Sequence, residues 1–143
     1  MVFANVETLL LDLALAVVFG GLIGFERETD QRPAGLRTHI LICFGATLFT
    51  LISMSFPGSE IDTSRVASGI VTGIGFLGAG AIFRSEKGVE GLTTAADIWA
   101  VAAIGMAIGI GYYLAALVGT IIIFAVLFIG RRIKGNGKKQ EKK

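Results

Sequence analysis

The feature that most constrains this chain is a series of long segments without charged side chains. Residues 38–59, 66–83 and 98–130 contain no Asp, Glu, Lys or Arg, and residues 8–25 contain only Asp12. A helix needs about 20 mostly apolar residues to cross the hydrocarbon core of a bilayer, which is about 30 Å thick. Each segment comes close to or exceeds that length, so the sequence indicates a polytopic membrane protein.

The composition excludes several other classes of protein. The 143 residues are 53% hydrophobic and 17% charged, with 20 glycines in addition, whereas a soluble domain carries about 25% charged residues. The single cysteine, Cys43, cannot form an internal disulfide. An ordinary soluble enzyme, a disordered chain and a disulfide-stabilised scaffold are therefore excluded, and no nucleic-acid partner is expected.

The last uncharged segment decides the number of spans. Its 33 residues would form a helix of about 50 Å, too long for one crossing and short for two. Two spans fit if the first begins near residue 94, which draws Asp97 toward the membrane, and if the chain reverses at the glycines of 109–111. The sequence thus predicts an all-α bundle of five transmembrane helices over residues 1–130. The predicted spans are 5–25, 38–56, 65–83, 94–109 and 112–130, followed by a basic tail at 131–143.

The basic residues predict the orientation of this bundle. With five spans, the connections at 27–37 and 84–87 and the tail lie on one side, and they hold 12 of the 13 basic residues. Because basic segments stay in the cytoplasm, the N-terminus is predicted outside and the C-terminus inside. No basic residue precedes the first span, so we expect no cleavable signal peptide.

Glycines at four-residue spacing predict close contacts between helices, since they place bare backbone on one helix face. The glycines predicted to pack in this way are Gly20, Gly24, Gly69, Gly73, Gly75, Gly78, Gly80, Gly105 and Gly109. Residues 73–80 include a GxGxxG pattern, but dinucleotide binding needs a preceding strand and a βαβ unit, which an uncharged membrane segment does not provide. A local unwinding that exposes carbonyls to a cavity is the alternative to packing.

Three ionisable residues lie within predicted spans or at their first residues. Ionisable groups inside the hydrocarbon core are costly and are usually functional. The three residues are Asp12, Arg65 and Asp97. Asp97 also has a structural interpretation, because Thr94 and Asp97 have the spacing of a capping box at the start of the fourth helix.

The connection between the first two spans is rich in charge. Arg27 and Arg37 flank it, and both could form surface ion pairs with its three acids, Glu26, Glu28 and Asp30. Mg²⁺ prefers oxygen ligands, so the same acids are also candidates for binding it. No second His or Cys accompanies the single histidine at ligand spacing, and the metal question stays open.

Three segments together resemble one family. They are GLIGFERE at 21–28 with RPAGLRTH at 32–39, GIGFLGAG at 73–80, and GLTTAADIW at 91–99. In this order, over roughly residues 10–130, they resemble the MgtC/SapB family of bacterial inner-membrane proteins. The residues that match the family's motifs are Glu26, Arg27, Gly35, Arg37, Thr38, Gly73, Gly75, Gly78, Gly80, Thr93, Thr94, Asp97 and Trp99.

The resemblance implies five spans, a place in the bacterial plasma membrane and a link to growth at low magnesium and to virulence. It implies a non-enzymatic regulator of membrane machinery, with the proton-translocating ATP synthase as a partner. The glycine faces, and not the resemblance, make further copies of the chain a second candidate partner within the lipid bilayer. The alternative is an oligomeric transporter or channel for Mg²⁺ or another small ion. No cofactor is implied. Virulence members carry a soluble C-terminal domain after the membrane region, whereas this sequence has a lysine-rich tail at that place. We therefore expect the short form of the family to be the better match.

Overall fold

A computed structural model of the chain describes residues 5–56, 62, 64–86 and 88–140, and side chains as far as Arg132. The described chain forms five helices and one small hairpin. The helices are α1 (Val6–Thr29), α2 (Leu36–Ser55), α3 (Ser64–Gly80), α4 (Leu92–Gly109) and α5 (Tyr113–Gln140). Strands β1 (Phe83–Ser85) and β2 (Gly88–Glu90) pair antiparallel between α3 and α4.

The helices confirm the all-α membrane fold. Four of them, α1, α2, α4 and residues 113–132 of α5, are long and apolar enough to cross a membrane. The 17 residues of α3 extend about 25 Å, slightly less than the hydrocarbon core. Helix α3 ends at Gly80 because residues 81 and 82 turn into the hairpin, whereas the sequence predicts a third span reaching residue 83.

Two boundaries differ from the sequence prediction in ways that matter. Helix α5 continues to Gln140, so residues 131–140 extend the last helix, whereas the sequence predicts a separate tail. Continuing a formed helix adds one hydrogen bond for each residue that is fixed, so extending the helix is favoured over starting a new structure.

The start of the fourth helix also differs from the prediction. Helix α4 begins at Leu92 and is preceded by Gly91 with φ of 88°, a left-handed conformation that glycine adopts without penalty. Asp97 therefore lies beyond the first turn, and its interpretation as a capping-box residue is wrong.

Helices α1, α2 and α4 form the centre of the bundle. Helix α2 packs extensively against both α1 and α4, while α3 and α5 lie outside, mainly against α4. The buried apolar core includes Ile23, Cys43, Val101 and Ile108, none of which retains solvent-accessible surface. This arrangement leaves most of α3 and α5 facing outward.

Four glycines lie where the central helices approach most closely. A Cβ added at Gly20 would lie 2.7 Å from the carbonyl oxygen of His39, and one at Gly24 would lie 2.8 Å from Leu36 Cα. On the other side of α2, a Cβ at Gly105 would meet the Cys43 carbonyl oxygen, and one at Gly109 would lie 2.7 Å from Thr50 Cβ. These contacts leave no room for a side chain, so backbone-to-backbone packing holds α2 between α1 and α4.

The glycines of α3 are placed differently. A Cβ at Gly78 would lie 3.3 Å from the carbonyl oxygen of Ala95 in α4. At Gly69, Gly73, Gly75 and Gly80 it would meet no described atom within 4 Å. The predicted close packing is therefore wrong for these four glycines within a single chain, because α3 makes only sparse contact with α2. Helix α3 is also continuous, so the alternative of local unwinding is wrong.

Two polar contacts show that α1 and α5 run in the same direction. The hydroxyl of Tyr113, at the start of α5, donates a hydrogen bond to Oδ1 of Asp12, near the start of α1, at 2.7 Å. Arg131 lies 3.7 Å from Asp30, which follows the end of α1. Parallel first and last helices are what an up-and-down bundle of five requires. The connection at 30–35, the hairpin and the region of α5 around Arg131 therefore share one end, which we call the basic end.

Helix α3 begins at the opposite end of the bundle. Asp62 precedes it, and Asp62 Oδ1 accepts a hydrogen bond from the Ser64 backbone N–H at 2.9 Å. Hydrogen bonds from Ser64 hold the pKa of this exposed carboxyl below its ordinary value. A carboxylate that stays ionised here is favoured by the positive end of the helix dipole.

Candidate functional site

A buried ion pair joins α1 to α4 near the basic end. Arg27, in the last turn of α1, and Asp97, in the second turn of α4, are each only 4% exposed. Arg27 Nε lies 2.6 Å from Asp97 Oδ2, and Arg27 Nη2 donates to Thr94 Oγ1 at 3.0 Å. The guanidinium thus contacts two residues one turn apart on α4, so it fixes the position of that helix against α1.

His39 brings α2 into the same cluster. Its side chain is completely buried, with Nδ1 2.9 Å from the carbonyl oxygen of Gly35 and Nε2 3.4 Å from Asp97 Oδ1. A neutral imidazole has only one N–H, and Nδ1 needs it to donate to the carbonyl. The contact of Nε2 with Asp97 places α2 beside the pair that joins α1 to α4. We call Arg27, His39, Thr94 and Asp97 the ion cluster.

Glu26 lies beside the ion cluster but takes no part in it. The side chain is 4% exposed, and neither carboxylate oxygen has a hydrogen-bond partner among the described residues. The register fixed by Tyr113–Asp12 and Arg131–Asp30 places it on the α5 side of α1. An unpaired carboxyl at this depth is costly and marks a functional candidate.

A second polar contact lies at the opposite end of the bundle. Asp12 is 3% exposed, and it accepts the hydrogen bond from the Tyr113 hydroxyl described above. A tyrosine is suited to this position because its ring is apolar and its hydroxyl needs a partner when it is buried. The contact fixes α5 against α1.

We expect Tyr113→Phe to destabilise the protein by about 1–3 kcal/mol, because the change leaves the buried Asp12 carboxyl without its donor. The measurement is the free energy of unfolding in detergent micelles. Tyr112→Phe is the matched control, since Tyr112 is 65% exposed and its loss should change stability by less than about 0.5 kcal/mol. Equal effects of the two substitutions would contradict this role for Tyr113.

The other motif candidates lie on the surface. Arg37, Thr38 and Thr93 are exposed, as is Arg65 at the start of α3. Neither Arg37 nor Arg65 forms an ion pair within the described part of the chain. The structure therefore brings together Arg27, Thr94 and Asp97, with Glu26 beside them, and leaves the remaining candidates outside the ion cluster.

The acids of the first connection bind different partners. Glu28 Oε2 accepts from the Leu36 backbone N–H at 2.9 Å and so caps α2. Asp30 pairs with Arg32 at 2.6 Å and with Arg131. The predicted surface pair between Arg27 and these acids is wrong, because Arg27 turns inward to Asp97. No group of three or more His, Cys, Asp or Glu side chains suited to a metal occurs among the described residues.

Two residues of these contacts are missing from the sequence prediction. The sequence argues against His39 as a metal ligand and assigns it no other role, and it assigns no role to Tyr113. The available features were modest: a histidine in the first turn of a span, and a tyrosine hydroxyl at the start of another, each needing a buried partner. Neither feature identifies the partner.

The fold and the ion cluster define a class: a polytopic helical membrane protein whose central helices are joined by a buried arginine–aspartate pair. Comparison with known families makes this more specific. The model of the MgtC family matches residues 13–136. The chain belongs to the MgtC family.

Individual relatives agree with this assignment. A protein of Escherichia coli (strain K12), named "Putative magnesium transporter YhiD", is 45% identical over 122 residues, 80% of this chain and 57% of the relative. The protein MgtC of Brucella abortus (strain 2308) is 50% identical over 114 residues, 80% of this chain and 48% of the relative. Protein MgtC of Salmonella typhimurium (strain LT2) is 49% identical with the same coverage. The chain spans about half the length of these relatives. No solved structure matches the chain.

Proposed function

We propose that the chain is a non-enzymatic membrane regulator, linked to magnesium limitation and membrane energetics, and that a single copy does not conduct ions. The observation that carries this proposal is the apolar packing between its two buried polar sites. Asp12 and Arg27 lie at opposite ends of α1, about 22 Å apart along the helix axis. An ion crossing the chain would have to pass between them.

The interior between these sites is closed by apolar residues and glycine. Between Asp12 and Glu26, the buried positions of α1 are Ala16, Phe19, Gly20, Ile23 and Gly24. The facing part of α4, after Asp97, buries residues such as Val101, Ile104 and Ile108. Removing the hydration shell of a divalent cation in such surroundings is prohibitive, which supports a role without conduction through a single copy.

The buried hydroxyl groups of α2 also serve the structure. Thr47 Oγ1 lies 2.9 Å from the carbonyl oxygens of both Cys43 and Gly105, and Thr50 Oγ1 donates to Ala46 O at 2.8 Å. Hydroxyls that donate to carbonyls satisfy backbone acceptors within and between helices.

The alternative is a transporter or channel for Mg²⁺ that forms by oligomerisation. The name of the Escherichia coli relative favours it, and so does the uncovered glycine face of α3, which could pack against a second copy. In that case the pathway would lie between copies.

Ion flux separates the two proposals. Full-length protein is reconstituted into liposomes containing a magnesium-sensitive dye, and external Mg²⁺ is added. We expect the rate of Mg²⁺ entry to equal that of empty liposomes, with correct folding shown by the helical circular dichroism of the vesicles. Mg²⁺ entry above that background, in vesicles whose protein is shown to be folded, would overturn the regulator in favour of the transporter.

Complementation tests the regulatory role itself. In a bacterial host lacking its own copy and grown at low Mg²⁺, wild-type protein should restore growth while showing no flux. Arg37→Ala should abolish this activity without changing protein abundance, because Arg37 is an exposed motif residue available to a partner. Arg65→Ala, at the other end of the bundle, is the control and should retain activity. The proton-translocating ATP synthase is proposed as the partner from the family resemblance alone.

We also propose that the basic end faces the cytoplasm and that the membrane is the bacterial plasma membrane. The contact between Asp30 and Arg131 supports a common side for the first connection and the end of α5. A reporter that is active only in the cytoplasm should therefore be active when it is fused after Gly130. Activity of a periplasmic reporter at that position would contradict the orientation.

A further inference from the structure

We propose that the groove between α2 and α3 binds one anionic phospholipid, with an acyl chain in the groove and its headgroup at Arg37. The groove has a volume of about 820 Å³. It is lined on α2 from Thr38 to Phe49 and on α3 from Val66 to Leu77, with Ile98 of α4 also in its lining. This inference concerns a surface outside the ion cluster. It shares Arg37 with the proposed regulatory role, so lipid labelling is measured separately from complementation.

The groove exists because three glycines leave it open. Gly45 on α2 and Gly69 and Gly73 on α3 line it, and a Cβ at any of them would meet no described atom within 4 Å. The sparse contact between α2 and α3 leaves the groove accessible from the side, where the bilayer lies. In a membrane, an uncovered apolar groove of this kind is filled by lipid or by another helix.

The dimensions favour an acyl chain over a helix. Residues 38–49 of α2 and 66–77 of α3 each extend about 16 Å, close to half of the 30 Å hydrocarbon core and thus to one leaflet. A helix from a second copy that crosses the bilayer would need a groove of about twice this length.

The charges determine which end holds the headgroup. Thr38, in the first turn of α2, is the polar residue among the described residues that line the groove. It lies at the basic end, next to the exposed Arg37. At the other end the lining consists of Phe49 and Val66. A phosphate at Arg37 would place the acyl chain along the groove, and a basic residue attracts an anionic headgroup by about 1 kcal/mol.

Photo-crosslinking tests the proposal. Full-length protein is reconstituted into phosphatidylcholine vesicles that contain a small fraction of phosphatidylglycerol with a diazirine on its acyl chain. After illumination, mass spectrometry should locate the label on residues 38–49 and 66–77. The same diazirine on phosphatidylcholine should label these residues about fivefold less, the factor that corresponds to about 1 kcal/mol.

Two matched pairs of variants decide the outcome. Gly73→Leu fills the groove and should abolish labelling, whereas Gly75→Leu, also at an open position of α3 but outside the lining, should not. Arg37→Gln should remove the preference for phosphatidylglycerol, and Arg65→Gln should keep it. Gly69→Leu replaces Gly73→Leu if circular dichroism shows that the latter misfolds.

Three results would overturn the proposal. One is equal labelling of the Gly73 and Gly75 variants. Another is the absence of a preference for the anionic lipid in the wild-type protein. The third is crosslinking of the groove residues to a second copy in place of lipid, which would assign the groove to a dimer interface.

Discussion

Replacing Asp97 by alanine is expected to destabilise the protein by about 3–5 kcal/mol, the cost of leaving a buried charge without its partner. Arg27 is 4% exposed, and it lies too deep among α1, α2 and α4 to recover solvent without separating these helices. The substitution also removes the carboxylate that His39 faces at 3.4 Å. Asp97→Asn should cost nearly as much, because an amide keeps the shape but not the charge.

The measurement is the free energy of unfolding of purified protein in mixed micelles, followed by helical circular dichroism. Thr93→Ala is the control, since Thr93 lies on the same helix but is exposed, and it should change stability by less than about 0.5 kcal/mol. Similar small effects of Asp97→Ala and Thr93→Ala would show that the ion pair contributes little to the fold.

The second large effect is expected at Gly105. A Cβ there would meet the Cys43 carbonyl oxygen and lie 2.9 Å from Ala46 Cβ, so Gly105→Ala must push α4 away from α2. Overpacking of this kind costs about 1–3 kcal/mol. The shift should also weaken the contact between Thr47 and the Gly105 carbonyl oxygen, now 2.9 Å, which adds to the loss.

Gly75→Ala is the matched comparison for Gly105→Ala. The same methyl group is added within a helix, but it meets no described atom within 4 Å. Because alanine favours a helix over glycine by about 0.8–1.0 kcal/mol, this variant should be unchanged or slightly more stable. Unfolding measured side by side should therefore separate the two variants by at least about 1 kcal/mol in the stated order. The reverse order would contradict the packing described here.

The sequence predicts the membrane class and the number of helices because both depend on local properties, the lengths of the uncharged runs and the positions of charges between them. Contacts between distant residues cannot be obtained in the same way. Arg27 and Thr94 are 67 residues apart, and Tyr113 and Asp12 are 101 apart. Nothing in the surrounding sequence shows that Arg27 turns to α4 and not to the neighbouring acids.

The glycines illustrate the same limit. Gly105 and Gly109 have the same spacing as Gly69 and Gly73, and the sequence predicts packing for both pairs. The first pair lies against α2, while the second lines an open groove. Spacing identifies a helix face on which a close approach is possible, but the global arrangement of helices decides which faces are covered.

A double-mutant cycle at Arg27 and Asp97 tests the central claim most directly, namely that these two side chains join α1 to α4 as a pair. The variants are Arg27→Met, Asp97→Leu and the combination, compared by their free energies of unfolding in the same micelles. Each single change should be strongly destabilising, while the double variant should recover most of the loss, because an apolar replacement of both partners leaves no buried charge. A double variant whose loss equals the sum of the two single losses would contradict the pairing.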